Sequence, residues 1–271
     1  MKTVLILTQP RSGSSLLAGI LHRLGVCMGP ELDLTMSKHK NKFGSYENQA
    51  FLKILHNILY KSKRLMYYSN RLSDEDGKVE RAVKKHEEKL VKLIRESERD
   101  FWGFKEAVLI YTLPYFHHHF NNPYYIILYR DPESVANSQI RAGKLDNWWP
   151  EIKTEFSYFK PHQWLVLFFR TIWTTVTKGF LYKKFDFLVN LTKNGHDRIN
   201  NFVKDKRFIS VNLIDLIEDS ENTITKIIDF LGLKPTEDQL KDAHAFVHPE
   251  LITSDINKEN SQNEVSSEKK K

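Results

Sequence analysis

The stretch Leu5-Ile6-Leu7-Thr8-Gln9-Pro10-Arg11-Ser12-Gly13-Ser14-Ser15-Leu16-Leu17 decides how the rest of the chain is read. An apolar run stops at a Pro-Arg-Ser-Gly-Ser-Ser turn, and apolar residues at helical spacing (Leu16, Leu17, Ile20, Leu21, Leu24) begin at once. That order is a strand, a small-residue loop and a helix N-terminus, with Gly25 as the helix stop. The first turn of a helix carries N–H groups with no partner inside the helix, and the aligned peptide dipoles add partial positive charge there. Arg11 contributes a full charge, Gly13 lets the backbone approach closely, and Ser12, Ser14 and Ser15 offer hydroxyl donors. Together they form a cradle for a phosphate or sulfate group. The loop is not the ATP-binding pattern G-x-x-x-x-G-K-[ST]: Thr8 stands at the first glycine and Ser14 at the lysine. Taken alone, a serine-capped helix behind a buried strand is an equally good account of it.

The remaining chain alternates strands and helices. Val26 to Met28 reads as a short second strand closed by Gly29-Pro30, followed by a polar, loop-like stretch over 31–45. Phe51, Ile54, Leu55, Ile58 and Leu59 mark a second helix. Residues 74–98 read as one charged helix with Val79, Val83, Leu90 and Ile94 on one side and an exposed His86. Phe101 to Phe104 is a short buried strand, then a helix is expected through Leu109, Leu113 and Phe116. Tyr124 to Tyr129 is the clearest strand, continuous and β-rich as when both faces are covered. Asp131-Pro132 opens another helix, and a long helix is expected from about Pro161 to Tyr182. Phe208 to Val211 makes a last strand, Asn222 to Leu231 a helix stopped by Gly232, and Pro235 opens a final helical region.

The fold class that follows is α/β, a parallel β-sheet flanked by helices. One domain is expected over 1–256, with helical insertions, ahead of a polar tail over 257–271 expected to be disordered. Ligands of such sheets bind beyond the carboxyl ends of the strands. Arg11 to Ser15, Lys105 and Arg130 all fall on that edge.

Composition narrows the class. The 271 residues are 41% hydrophobic and 28% charged, as in a soluble globular chain. The longest apolar run, Trp164 to Phe169, is far too short to span a bilayer, and the apolar start is too short for a signal peptide. The single cysteine, Cys27, cannot form an internal disulfide and is expected to be a small buried residue in a cytoplasmic protein. A net charge of +7 favours anionic partners such as a nucleotide. No nucleic-acid motif is present.

A second cationic motif follows the clearest strand: Tyr129-Arg130-Asp131-Pro132-Glu133-Ser134-Val135-Ala136-Asn137-Ser138. Arg130 leaves the strand end with planar, always-charged donors suited to a phosphate, and Ser138 lies two turns into the next helix. The plainer readings are a salt bridge from Arg130 to Asp131 or to a neighbouring helix, and a surface serine at 138. The two motifs together resemble those of the sulfotransferases that use 3′-phosphoadenosine 5′-phosphosulfate (PAPS), above all the bacterial and Golgi-type branches. The first loop resembles their P-R-S-G-[ST]-[ST]-L-L and the second their R-[DN]-P-x-x-x-x-x-S. Gly44 to Asn48 resembles the family's G-x-[FYW]-E segment, and Phe208 to Leu216 with Asp229 to Leu233 resembles its Y-E-D-L and F-L-G-L region. Asn212 departs from the usual tyrosine. The resemblance covers most of 3–251.

That resemblance implies a P-loop-like sulfotransferase fold and transfer of a sulfuryl group from PAPS to an acceptor hydroxyl or amine. It places Arg11, Ser12, Gly13, Ser14 and Ser15 on the 5′-phosphosulfate and Arg130 with Ser138 on the 3′-phosphate. Lys105 aligns with a family lysine near the transferring group. Cytosolic relatives carry a histidine base two residues later, where this chain has Ala107. The resemblance therefore points to Glu47 as the base, with Glu106 and His56 as alternatives. For Glu47 the plainer reading is an exposed carboxylate favoured by a helix dipole. No metal is expected, because adjacent histidines such as His117-His118-His119 cannot all face one ion from a regular helix. Two rivals stay open, an ATP-dependent P-loop phosphotransferase and a non-catalytic adenosine-bisphosphate-binding protein. The acceptor and the oligomeric state are not readable. The aromatic segments around Tyr67-Tyr68, Trp148-Trp149 and Phe156 to Trp164 suit an acceptor pocket, core or an oligomer contact equally.

Overall fold

The computed structural model describes residues 1–29, 44, 46–62, 77–107, 109–141, 161–178 and 183–247. The expected polar loop (apart from Gly44 and its border), the aromatic segments at Tyr67-Tyr68 and Trp148-Trp149, and the polar tail lie outside them. Four strands form one parallel sheet among the described residues: β1 (Lys2–Thr8), β2 (Phe101–Lys105), β3 (Pro123–Tyr129) and β4 (Phe208–Asn212), in the order β2-β1-β3-β4. The register pairs Val4 with Gly103 and Tyr124, and Leu128 with Val211.

Alternation along β1 divides the interior in two. Val4 and Ile6 face one cluster with α1 (Ser14–Arg23), α10 (Ser220–Leu231) and α11 (Glu237–Ala245). Leu5 and Leu7 face the other, with α2 (Gln49–Lys61), α3 (Lys78–Lys84), α4 (Glu87–Ser97), the single turn α5 (Leu109–Thr112) and α8 (Phe185–Val203). A strand apolar on both sides needs such double cover, which is why β1 and β3 read as unbroken hydrophobic runs. The remaining helices among the described residues are α6 (Pro132–Arg141), α7 (Pro161–Lys178) and α9 (Leu213–Glu218).

Several expectations are corrected. Val26 to Met28 does not form a full strand; it makes a single parallel bridge, Cys27 to Trp102, and Cys27 is half-buried. The charged helix expected over 74–98 is two helices, α3 and α4, broken at Lys85-His86. His86 is buried rather than exposed, and its Nδ1 donates to Ala82 O at 2.8 Å. Beyond β2, the expected helix is one α turn followed by 3-10 turns over Leu113–Tyr115 and His117–His119. Pro114, which has no N–H to give, interrupts it. Helix α8 was not expected at all, although Leu188, Leu191, Gly195, Ile199 and Val203 line its buried side.

Candidate functional site

Each motif emerges at the carboxyl edge of the sheet. Between β1 and α1 the chain turns through Arg11, whose φ of 69° is in the left-handed region, and Gly13, whose φ of 84° makes it the N-cap of α1. A left-handed non-glycine residue costs about 1–3 kcal/mol and persists only where its surroundings hold it. The second motif supplies that hold. Arg130 Nη1 donates to Arg11 O at 2.9 Å, and Arg11 Nε donates to Ser138 Oγ at 3.3 Å. Ser138 is buried on α6. Asp131, one of the partners that the plainer reading gave to Arg130, accepts the Ser134 N–H at 2.8 Å and so caps α6.

The loop is also packed from behind. A Cβ on Gly13 would lie 2.5 Å from Leu213 Cδ1, at the start of α9, so no larger residue fits beside that leucine. A Cβ on Gly195 of α8 would lie 1.8 Å from Gln9 Nε2, so α8 presses on the residue that opens the loop. Within this packing the Ser12 hydroxyl is fully buried and has no hydrogen-bond partner among the described residues. An orphaned hydroxyl at a helix N-terminus is a group that an anion in the cradle would satisfy.

Lys105, the last residue of β2, carries the second half of the site. Its Nζ lies 2.7 Å from Glu47 Oε1 and donates to Ser15 Oγ at 3.3 Å. Lys105 is 4% exposed and Glu47 27%, so the ammonium is the desolvated member of the pair and the carboxylate keeps a path to solvent. Glu47 does not sit in the first turn of a helix. It precedes Asn48, whose Oδ1 accepts the Ala50 and Phe51 N–H groups at 3.0 and 3.3 Å to cap α2. Tyr46, before it, has a φ of 53° and is buried against Phe246 and His22, and its hydroxyl accepts from Arg23 Nη1 at 2.9 Å. The carboxylate is thus fixed between an aromatic anchor and a capped helix.

Contacts join every predicted site residue except Ser12, Gly13 and Ser14 pairwise, and those three belong to the loop itself. Ala107 is half-buried two residues beyond Lys105. Glu106 is buried at the end of β2. His56 is buried on α2, where burial pushes its imidazole down to about 3. The histidine triplet precedes β3, at the opposite end of that strand from Arg130. Sequence reasoning missed the supports of the site: Gln9 with Gly195, Leu213 behind Gly13, and Arg23 behind Tyr46. The apolar spacing of α8 was the one signal available for any of them.

The comparisons with known proteins bear on the fold and the family. No helix among the described residues is long and apolar enough to cross a membrane. A search of curated proteins finds no match. Similar solved structures include the sulfotransferase STF1 of Mycobacterium tuberculosis H37Rv, 15% identical with a TM-score of 0.51, the match covering 90% of this chain and 70% of that one. The sulfotransferase STF9 of Mycobacterium avium is 10% identical with a TM-score of 0.50, over 90% of this chain and 67% of that one. A sulfotransferase domain of the Synechococcus PCC 7002 olefin synthase is 22% identical over 89% of this chain and 76% of that one, with a TM-score of 0.47. At identities this low, the two mycobacterial structures speak to the fold alone. The model of the sulfotransferase family, however, matches residues 3–238, and the chain belongs to that family.

Proposed function

We propose that this protein transfers a sulfuryl group from PAPS to an acceptor hydroxyl or amine, in the cytoplasm. The observation that carries the reading is the position of Lys105, bridging Ser15 of the anion loop and Glu47. One ammonium then touches both the place where a sulfuryl group would sit and the carboxylate that would take the acceptor proton. The residues present fit the donor. The buried Ser12 hydroxyl and the α1 N-terminus suit its 5′ anionic end, and the braced pair Arg130 and Ser138 suits a 3′-phosphate.

When bound, PAPS supplies the electrophilic sulfur and a stable leaving group, adenosine 3′,5′-bisphosphate. The chain supplies position and charge, as in phosphoryl transfer. Arg11 and Lys105 stabilise charge on the transferring group and on the oxygen that leaves, an effect that counts only if it is stronger in the transition state. Glu47 accepts the acceptor proton as the new oxygen–sulfur or nitrogen–sulfur bond forms. Lys105, which touches both Glu47 and Ser15 of the anion loop, would loosen its hold on Glu47 if it turned towards an anion in that loop. Two groups thus share one cation in turn.

Titration calorimetry with adenosine 3′,5′-bisphosphate, AMP and ATP, run beside a sulfate-transfer assay on hydroxyl and amine acceptors, tests the reading. The bisphosphate should bind much more tightly than AMP, and label should move from PAPS. Equal affinity for bisphosphate and AMP would remove the 3′-phosphate role of Arg130 and Ser138. Preference for ATP would favour phosphotransfer. Tight bisphosphate binding without transfer to any acceptor would leave a binding protein, a reading that Ala107 supports by standing where related enzymes carry a histidine.

A further inference from the structure

The histidine triplet does not lie on a regular helix. It forms a 3-10 turn, packed beside the first turn of α4, and this changes which side chains can meet. His117 leaves the group: its ring sits edge-on against Phe202, 5.4 Å away. His118 and His119 stay together, with ring centroids 4.0 Å apart, and both turn towards Glu87. Glu87 Oε1 lies 2.8 Å from His119 Nε2 and 3.9 Å from His118 Nε2. All three ligand atoms lie within 4.8 Å of one another, and among the described residues no other set of three histidine, cysteine or carboxylate groups does so.

We infer that Glu87, His118 and His119 form a binding site for a zinc-class divalent cation, independent of the sulfuryl-transfer site. Zinc bonds to imidazole nitrogen and carboxylate oxygen are about 2.0–2.2 Å, so ligand atoms in a tetrahedral site stand about 3.3 Å apart. The two Glu87 distances bracket that value, and the longer one belongs to His118, the exposed member of the three. Two imidazoles and one carboxylate leave a fourth position for water, and they select borderline metals over magnesium and calcium, which prefer oxygen. Glu87 is the first residue of α4 and the histidines lie on the chain that leads into β3, so a bound ion ties two elements 31 residues or more apart in sequence. The site precedes β3, whereas Arg130 follows it; its effect falls on stability rather than on the anion loop.

The test is zinc titration of the untagged protein by calorimetry, with magnesium as the comparison ion, together with thermal melting at saturating zinc. One saturable zinc equivalent is expected, no magnesium binding, and a rise in Tm that grows with free zinc, as linkage requires. His118→Ala removes an exposed side chain and keeps the His119–Glu87 contact, so it should fold normally and bind zinc at least tenfold more weakly. Glu87→Gln should do the same, whereas His117→Ala should bind like the wild type. Lack of a saturable equivalent in the wild-type protein overturns the inference, as does unchanged zinc affinity in His118→Ala. Equal losses in His117→Ala and His118→Ala overturn the ligand assignment. Spectroscopy with cobalt(II) provides a second readout: visible bands of a low-coordinate site should appear in the wild type and vanish in His118→Ala.

Discussion

The two halves of the site are built in opposite ways. The two arginines are exposed or half-exposed side chains just beyond the ends of neighbouring strands, and one braces the backbone of the other. The Glu47–Lys105 pair joins a strand end to a segment outside the sheet, places the lysine in a nearly dry setting, and depends on a left-handed tyrosine to aim the carboxylate. Adjacent strands bring short motifs together almost automatically, so their spacing is visible in the sequence. A desolvated ion pair needs a specific approach of a segment outside the sheet, and its cost is recovered only when both partners are present.

By that contrast the ion pair governs turnover and Arg130 governs affinity. The largest effect is expected from Glu47→Gln, which keeps the shape and removes the proton acceptor. Transfer should fall by about 10²–10⁴-fold while adenosine bisphosphate still binds. Single-turnover rates with saturating PAPS check it, and near-normal transfer would break the comparison and move attention to Glu106 and His56. Lys105→Ala should likewise lower turnover at saturating donor, beyond any change in affinity.

Arg130→Ala should weaken bisphosphate binding by about 1.5–3 kcal/mol, the worth of a charge-assisted hydrogen bond, and leave AMP binding less affected. Calorimetry on both nucleotides reads it directly. Some loss for AMP is also expected, because Arg11 loses its carbonyl brace.

Gly195→Ala addresses the loop from behind. The added methyl meets the buried Gln9 carboxamide, so a destabilisation of about 1–3 kcal/mol is expected. Urea denaturation measures that cost. Weaker bisphosphate binding with unchanged Lys105–Glu47 chemistry would sharpen the division between the two halves.

Acid should affect the helix that follows Glu47. His56 on α2 is held near 3 by burial, against 6.5 for the free side chain. Its folded value is depressed, so between those limits the unfolded chain binds more protons and stability falls as pH falls. The contribution is about 2 kcal/mol less stability at pH 5 than at pH 7, at about 1.4 kcal/mol per pH unit below 6.5. Denaturation curves at both pH values test this, and His56→Gln should flatten the difference. The smallest effect is expected for Tyr46→Phe, which removes only the bond from Arg23, about 0.5–1.5 kcal/mol.

The sequence made the sheet legible because β1 and β3 are buried on both faces, and their apolar runs have no other reading. It made Arg11, Arg130 and Ser138 legible for a related reason: each stands at a fixed offset from a strand end. Helix boundaries were less visible. His86 looked like an exposed residue in a charged run, but its ring satisfies Ala82 O and ends α3. Helix α8 hid behind asparagines, a glycine and a histidine, residues of poor helix propensity, although packing against β1 and β3 overrides them. Nothing local to Glu47 announced that Lys105 would meet it. That contact exists because β2 lies beside β1 and the chain before α2 is pinned by Tyr46.

The strand order carries a consequence for synthesis. β1 pairs on one side with residues 101–105 and on the other with residues 123–128. At ribosomal rates of about 5–20 residues per second, an apolar strand with two open edges therefore waits roughly 6–25 s before its second partner is made. Parallel pairing offers no hairpin to shelter it meanwhile. Nascent chains of this protein should engage chaperones early, at β1, and release them only after Tyr129 has left the exit tunnel.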